Sequence, residues 1–143
     1  MPTSTASPFQ PPAGVRVLSL ALNLPGPAAL LRCRAMGAAC VKFEPPTGDP
    51  MAHYNKLAYA ALHEGIAVRT ADLKAEAGRQ QLHAELAQTD VLLTSFRPSA
   101  LAKLGLDWAA LQERHPRLSQ VAIVGAPGAR AEGPGHDLAF LAE

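Results

Sequence analysis

A histidine and an aspartate, His136 and Asp137, follow directly after a loop rich in glycine and proline, residues 125–135. An imidazole titrates near neutral pH, so His136 is a candidate for taking up or releasing a proton in catalysis. The structural alternative is a solvated histidine, with Asp137 serving as an acid in the first turn of a helix. From the residues alone, the catalytic and the structural interpretation both stay open.

A second group of side chains with binding chemistry lies in the segment SFRPS. Ser95, Phe96 and Arg97 follow an apolar run, and Lys103 lies six residues beyond Arg97. A phenylalanine can stack on a nucleotide base, and an arginine can pair with phosphate through two hydrogen bonds. The alternative is that Phe96 packs against the edge of a sheet and Arg97 caps a helix. The segment therefore indicates either a site for a base and an anion or a locally packed turn.

The segment LNLPGP, residues 22–27, leads from a predicted strand into a predicted helix. Its backbone N–H groups could face an anion at the helix N-terminus. The alternative is a tight turn that only connects the two elements. Neither G-x-G-x-x-G nor G-x-x-x-x-G-K-[ST] occurs in the sequence, so a dinucleotide site or a P-loop has no direct support.

The elements that must position these segments alternate between strand and helix patterns. The strand patterns are VRVLSLAL, ACVKFE, IAVRTADL, DVLLTSF and SQVAIVG. The helical patterns between them are PAALLRCRAMG, MAHYNKLAYAALHEG, AEAGRQQLHAELAQ and PSALAKLGLDWAALQERHP, the last with a break near Gly105. This order predicts an α/β fold with a Rossmann-like, mainly parallel sheet and helices on both faces. The candidate loops should then meet beyond the carboxyl ends of the strands.

Composition and charge exclude several classes of protein. A length of 143 residues fits one domain, and a net charge of +1 suggests neither nucleic acid nor an anionic membrane as a partner. No apolar run is long enough to cross a bilayer, and the N-terminus resembles neither a signal nor a transit peptide, so the cytoplasm is expected. The expected organisation is a disordered, proline-rich tail over residues 1–13, followed by one α/β domain over residues 14–143.

The remaining cysteines and histidines form no metal-binding pattern. Cys33 and Cys40 lie in apolar segments without a histidine at zinc-like spacing, and both are expected to be reduced core residues. The other histidines lack partners at informative spacings and are expected at the surface: His53, His63, His83 and His115. No metal is therefore predicted.

Taken in order, these segments resemble the class III CoA-transferase family, which contains formyl-CoA transferase, carnitine CoA-transferase and α-methylacyl-CoA racemase. The first part of the resemblance is GVRVLSLALNLPGPAALLRCRAMGAACVKFEPPTGDP, in which a strand ends in Lys-x-Glu-Pro-Pro. It continues through TADLKAEAGRQQL, DVLLTSFRPSALAKLGLDWAALQERHPRLSQVAIVG and GPGHDLAF. It begins at Gly14 and covers nearly all of the chain that follows.

The resemblance implies an enzyme that processes acyl-CoA by transferring CoA between carboxylic acids, with coenzyme A bound as the acyl-CoA substrate. The fold it implies is the N-terminal, CoA-binding part of a longer family fold. The CoA contacts it implies are Leu24, Ser95, Phe96, Arg97 and Lys103. It also implies a homodimer in the complete protein and a nucleophilic aspartate beyond residue 143, so that the present chain alone would be inactive.

Departures from the family pattern leave alternatives open. In the racemase branch, a Gly-His-Asp triplet supplies a histidine that moves a proton, so His136 with Asp137 favours α-methylacyl-CoA racemisation as the alternative activity. The basic stretch that family members carry before the Leu-Asp-Leu-Lys strand is replaced here by residues 65–68, with Arg69 displaced, which argues against binding of the CoA phosphates. The alternative from another class is a non-catalytic module that binds CoA or a protein partner.

Overall fold

A computed structural model describes residues 14–133 and residue 135 of the chain. Five strands form one sheet: β1, Arg16–Ser19; β2, Ala39–Glu44; β3, Ala67–Thr70; β4, Val91–Thr94; and β5, Ser119–Ala122. Their order is β3-β2-β1-β4-β5, and every neighbouring pair is parallel. This confirms the predicted parallel α/β fold. The order reverses between β1 and β4, which is where open α/β sheets bind ligands.

Six α-helices connect or flank the strands within the described residues. They are α1, Pro25–Ala35; α2, Met51–Tyr54; α3, Lys56–Leu62; α4, Glu76–Leu86; α5, Pro98–Lys103; and α6, Trp108–Arg114, and a 3-10 helix, Gly128–Glu132, follows β5. The predicted break between α5 and α6 is confirmed, because Gly105 adopts a positive φ of 68° there. None of the helices in the described ranges is long and apolar enough to cross a membrane.

The single helix predicted over residues 51–65 is divided in the structure. Asn55 interrupts it, and its side-chain oxygen accepts a hydrogen bond of 3.1 Å from the N–H of Ala58 at the start of α3. An asparagine in this position satisfies a free donor of the first helical turn, so it favours a new helix start over continuation. The apolar pattern alone did not reveal this division.

The two faces of the sheet bury separate hydrophobic clusters. Consecutive residues of a strand point to opposite faces, which places Val17 and Leu18 of β1 in different layers. Leu18 packs in a large cluster with side chains from α4, α5 and α6. Val17 packs in a smaller cluster with Leu30 of α1 and with Ile66. Helices therefore cover both faces, as the sequence predicted, and the loops that follow the strands all lie at one edge, here called the carboxyl edge.

Candidate functional site

A cleft of about 380 Å³ opens at the carboxyl edge, in the layer that contains Leu18. Four loops line it: Leu20 follows β1, residues 43–47 end and follow β2, residues 71–74 follow β3, and Phe96 follows β4. Most of these side chains are apolar, with Glu44, Asp72 and Lys74 as the charged exceptions. A small apolar cleft with few polar groups, at this edge of a parallel sheet, is typical of a ligand-binding site.

The turn after β4 gives Phe96 and Ser95 different positions. Phe96 is half-buried, packs against the large hydrophobic cluster and forms part of the cleft wall. Ser95 does not line the cleft, and its hydroxyl oxygen accepts a hydrogen bond of 3.2 Å from the N–H of Leu22 in the loop after β1. The two interpretations of Phe96 are therefore compatible, since one ring both packs the loop and presents a surface to the cleft.

The cations near the cleft are distributed differently from the expected set. Lys74, which the sequence analysis did not select, lines the cleft. Arg97 and Lys103 are exposed at the two ends of α5 and lie outside the cleft lining. Arg69 is paired with the carboxylate of Glu85 at 2.6 Å and also lies outside this cleft. Among these cations, Lys74 is thus the one that lines the cleft.

The loop between β1 and α1 is a turn in which three consecutive backbone N–H groups are hydrogen-bonded to side chains. The N–H groups of residues 21–23 all donate to side-chain oxygens. The acceptors are, in order, Ser19 at 3.1 Å, Ser95 at 3.2 Å and Asp49 at 3.1 Å. Pro25 and Pro27 have no N–H to offer. The segment forms a turn between β1 and α1, and Leu24, which is 57% exposed, is not part of the cleft lining.

A buried group of charged and polar side chains lies on the other face of β2, and the sequence analysis missed it. Lys42 is fully buried, and its Nζ lies 2.5 Å from Asp49 Oδ2, 3.1 Å from Glu44 Oε1 and 2.9 Å from His63 Nε2. Tyr59 donates its hydroxyl hydrogen to Glu44 Oε1 at 2.7 Å. These five residues are called the Lys42 cluster below. Glu44 belongs both to this cluster and to the cleft lining.

Hydrogen bonding fixes the protonation states in the Lys42 cluster. His63 Nδ1 lies 2.6 Å from the carbonyl oxygen of Tyr59 and must carry the hydrogen, so Nε2 accepts from Lys42 and the ring is neutral. Burial, followed by the nearby ammonium, lowers the pKa of His63. For Asp49, burial alone would raise the pKa, but hydrogen bonds from Lys42 and from the N–H groups of Met51 and Asn23 lower it below its ordinary value.

The Lys42 cluster contains a possible set of metal ligands. Glu44, Asp49 and His63 offer ligand atoms that lie within 4.8 Å of one another. The ammonium of Lys42 contacts all three side chains, so it already supplies a positive charge at this place. A metal ion would have to displace that ammonium into the protein interior, where an unpaired charge is very unfavourable.

The expectation that four histidines lie at the surface is wrong for three of them. His53 is exposed, but His63 is buried in the Lys42 cluster. His83 of α4 and His115 after α6 are half-buried and stack on each other, with Nδ1 of the first 2.9 Å from Nε2 of the second. His63 lies 21 residues from Lys42 along the chain, and His83 lies 32 residues from His115. Local spacing therefore does not indicate these two contacts.

The predicted catalytic pair, His136 and Asp137, and the predicted tail, residues 1–13, lie outside the described residues. The segment that leads toward the pair is attached to α5. The carboxylate of Glu132 accepts hydrogen bonds from the N–H and the hydroxyl of Ser99, both at 2.7 Å. This contact holds the 3-10 helix against the N-terminal turn of α5, next to the turn that carries Phe96.

The structure is an α/β domain of the open parallel-sheet class, with a cleft at the carboxyl edge of its sheet. Residues 13–143 match the family model described as CoA-transferase family III, and the chain therefore belongs to this family. The resemblance of its segments to the class III CoA-transferases is thereby confirmed.

Individual relatives give the same assignment. The chain is 35% identical to the cinnamoyl-CoA:phenyllactate CoA-transferase of Clostridium sporogenes, with 91% of this chain and 35% of that protein covered. It is 33% identical to the probable fatty acyl-CoA transferase Rv3272 of Mycobacterium tuberculosis, with 100% of this chain and 39% of that protein covered. The chain thus spans less than two fifths of the length of either relative.

Solved structures also match the fold. A crystal structure of Rv3272 from Mycobacterium tuberculosis superposes with a TM-score of 0.83 at 31% identity, covering 95% of this chain and 40% of that one. A CAIB/BAIF family protein from Brucella suis superposes with a TM-score of 0.79 at 30% identity, covering 90% of this chain and 38% of that one.

Proposed function

We propose that this chain is the acyl-CoA-binding part of a family III CoA-transferase, which transfers CoA between carboxylic acids. The observation that carries the proposal is the apolar cleft at the carboxyl edge, with Phe96 in its wall, in a chain that belongs to this family. The relatives support the reaction class, because the Clostridium sporogenes protein is named as a CoA-transferase for an acyl-CoA and a carboxylic acid.

The adenine of CoA is proposed to enter the cleft, and the phosphates are proposed to stay at its rim. A planar, weakly polar base fits between Phe96 and the apolar side chains of the neighbouring loops. A phosphate in the same place would lose its hydration without enough donors to replace it. Lys74 at the cleft, and Arg97 and Lys103 on α5 outside it, are the proposed phosphate contacts. Leu24 and Ser95 are proposed to act at the edge of this site.

The nucleophile for acyl transfer is proposed to come from outside the described residues. Glu44 at the cleft is already held, because it pairs with Lys42 and accepts from Tyr59, and attack by its carboxylate would break these contacts. Asp72, the other carboxylate of the lining, is exposed and accepts a hydrogen bond of 3.0 Å from the N–H of Lys74. The complete protein is proposed to be a cytoplasmic homodimer that uses no metal and has no nucleic-acid or membrane partner.

A second candidate activity, α-methylacyl-CoA racemisation, has one observation in its favour. The triplet Gly135-His136-Asp137 is the sequence that supplies a proton-transferring histidine in the racemase branch.

Binding of CoA to the purified chain, measured by calorimetry, tests the proposal. Phe96→Ala removes the stacking surface and should weaken binding by about 1–3 kcal/mol, which is roughly 5- to 150-fold. Phe96→Leu keeps most of the apolar packing and should retain stability while losing most of that affinity. Trp108→Ala, on α6 and outside the cleft, should leave the affinity unchanged. Equal CoA affinity of the native chain and the folded Phe96→Ala variant would refute the proposed site.

A further inference from the structure

Asp49 occupies a position with the donors of an anion-binding site. Its carboxylate is fully buried and accepts from the N–H of Asn23 at 3.1 Å, from the N–H of Met51 at 2.9 Å and from the ammonium of Lys42 at 2.5 Å. Backbone N–H groups and a cation at the loop after the first strand are the donors with which many α/β proteins bind a ligand phosphate. Here a side chain of the protein itself fills that place.

The backbone at Asn23 indicates that these bonds hold the loop in a particular shape. Asn23 has a φ of 64° and is the one non-glycine residue with positive φ among residues 14–133 and 135. Asparagine tolerates this conformation better than most residues, but it still requires support from its surroundings. That support comes from Asp49 on its N–H and from the hydroxyl of Tyr54 on its side-chain oxygen at 3.3 Å.

The ammonium of Lys42, which binds Asp49, also binds a residue in the wall of the cleft. Lys42 contacts Glu44, which is the first residue of the wall segment 44–47, and Asp49 closely follows the last residue of that segment. One ammonium therefore binds both ends of the connection between β2 and α2. Asp49 thus contacts both the loop after β1 and the ammonium that binds Glu44 in this wall.

We propose that Asp49, held by Lys42, is a positioning residue for CoA binding. It fills the anion position of the loop after β1 and braces the wall at residues 44–47, so the adenine finds a preformed cleft and the phosphates are left to side-chain cations such as Lys74. The identity of the ligand in this inference rests on the proposed function, whereas the positioning role rests on the contacts of Asp49.

Chemical rescue of Asp49→Ala tests the inference. The substitution leaves the three donors facing a hole of carboxylate size, and it should weaken CoA binding about tenfold or more. Sodium formate should restore much of the affinity, and sodium chloride at equal ionic strength should not. Glu76→Ala, which removes an exposed carboxylate of α4, should bind CoA normally and show no response to formate.

Two further measurements keep the test decisive. If Asp49→Ala does not fold, Asp49→Asn keeps the volume and one acceptor oxygen, and its CoA affinity and amide exchange at Asn23 provide the readout. Formate that raises the melting temperature of Asp49→Ala without restoring affinity, or a folded variant with native affinity, would overturn the positioning role. If the native chain itself does not bind CoA, the proposed function fails, while formate-dependent protection of the Asn23 amide still tests the role of Asp49.

Discussion

Three histidines, one of them buried and two half-buried, are expected to make the stability of this protein sensitive to acid. His63, His83 and His115 each have a lowered pKa, in every case chiefly because of burial, with nearby positive charge as a further cause. The neutral ring of each is hydrogen-bonded, to Lys42 for His63 and within the pair for His83 and His115. Protonation of His63 would place an imidazolium beside the ammonium of Lys42. Protonation of His83 or His115 would place an imidazolium beside the other ring of the pair.

The stability of the fold should therefore fall as the pH is lowered below about 6.5, the ordinary pKa of histidine. In that range the unfolded chain binds protons that the folded chain resists, so the free energy of unfolding decreases until the folded-state pKa values are reached. Above it, all three rings are neutral in both states and contribute no slope. Urea unfolding at a series of pH values measures this dependence.

A matched pair of variants isolates the effect. His83→Leu removes one of the rings whose pKa is lowered by burial, and it should flatten the pH dependence of the unfolding free energy below pH about 6.5. His53→Ala, which removes an exposed ring, is the matched control. An unfolding free energy that stays constant or rises on acidification through this range would contradict the assigned protonation states.

Close packing between α4 and the loop after β3 shapes one side of the cleft. Gly78 lies buried in α4, and a Cβ atom at this position would clash with the backbone carbonyl of Asp72. Asp72 belongs to residues 71–74, the part of the cleft lining that carries Lys74. The position of this helix therefore sets the position of a cleft cation.

Gly78→Ala should destabilise the protein and weaken CoA binding, although alanine is the better helix former by about 1 kcal/mol. The methyl group meets backbone, which cannot rotate away, so α4 or the loop must shift. Gln81→Ala, on the exposed face of α4, should leave both properties nearly unchanged. Urea unfolding and calorimetry measure the two effects. A variant with native stability and affinity would show that the loop does not depend on this contact.

The sequence predicted these elements well where the signals are local. Pro27 lies in the first turn of α1, where proline is typical, and Gly37 follows the end of α1 with a positive φ of 100°, which is typical of a helix end. The Lys42 cluster was not predicted from the sequence, because a lysine and a histidine separated by 21 residues meet only through the packing of α3 on the sheet. Phe96 was selected as a candidate because its own loop, SFRPS, places an aromatic ring beside a cation after an apolar strand. Lys74 was not, since nothing local distinguishes a lysine at a cleft from an ordinary surface lysine.

The whole molecule has an open side at β5. This strand ends the sheet among the described residues, and Val121 and Val124 near it are exposed by 50% and 38%. Exposed apolar side chains on or near an edge strand favour association with further protein. The relatives are more than twice as long as this chain, so additional protein on this side fits the proposed acyl-CoA-binding part of a larger enzyme.

The 143-residue chain alone is expected to turn over no acyl-CoA, because the proposed nucleophile lies outside the described residues and Glu44 at the cleft is held by Lys42 and Tyr59. Two assays check this: transfer of CoA to a free acid, and wash-in of deuterium at the α-carbon of a 2-methylacyl-CoA in D₂O. Transfer by the chain alone would place the nucleophile within it. Wash-in that is lost in His136→Ala would instead favour the racemase candidate.

Photoaffinity labelling with an azido-adenine derivative of CoA tests the central claim, that the cleft at the carboxyl edge binds the adenine of CoA. After irradiation and digestion, the label should lie on peptides that contain residues 43–47, 71–74 or Phe96, and excess CoA should prevent labelling. Labelling confined to peptides outside these segments, or labelling that CoA does not reduce, would contradict the account.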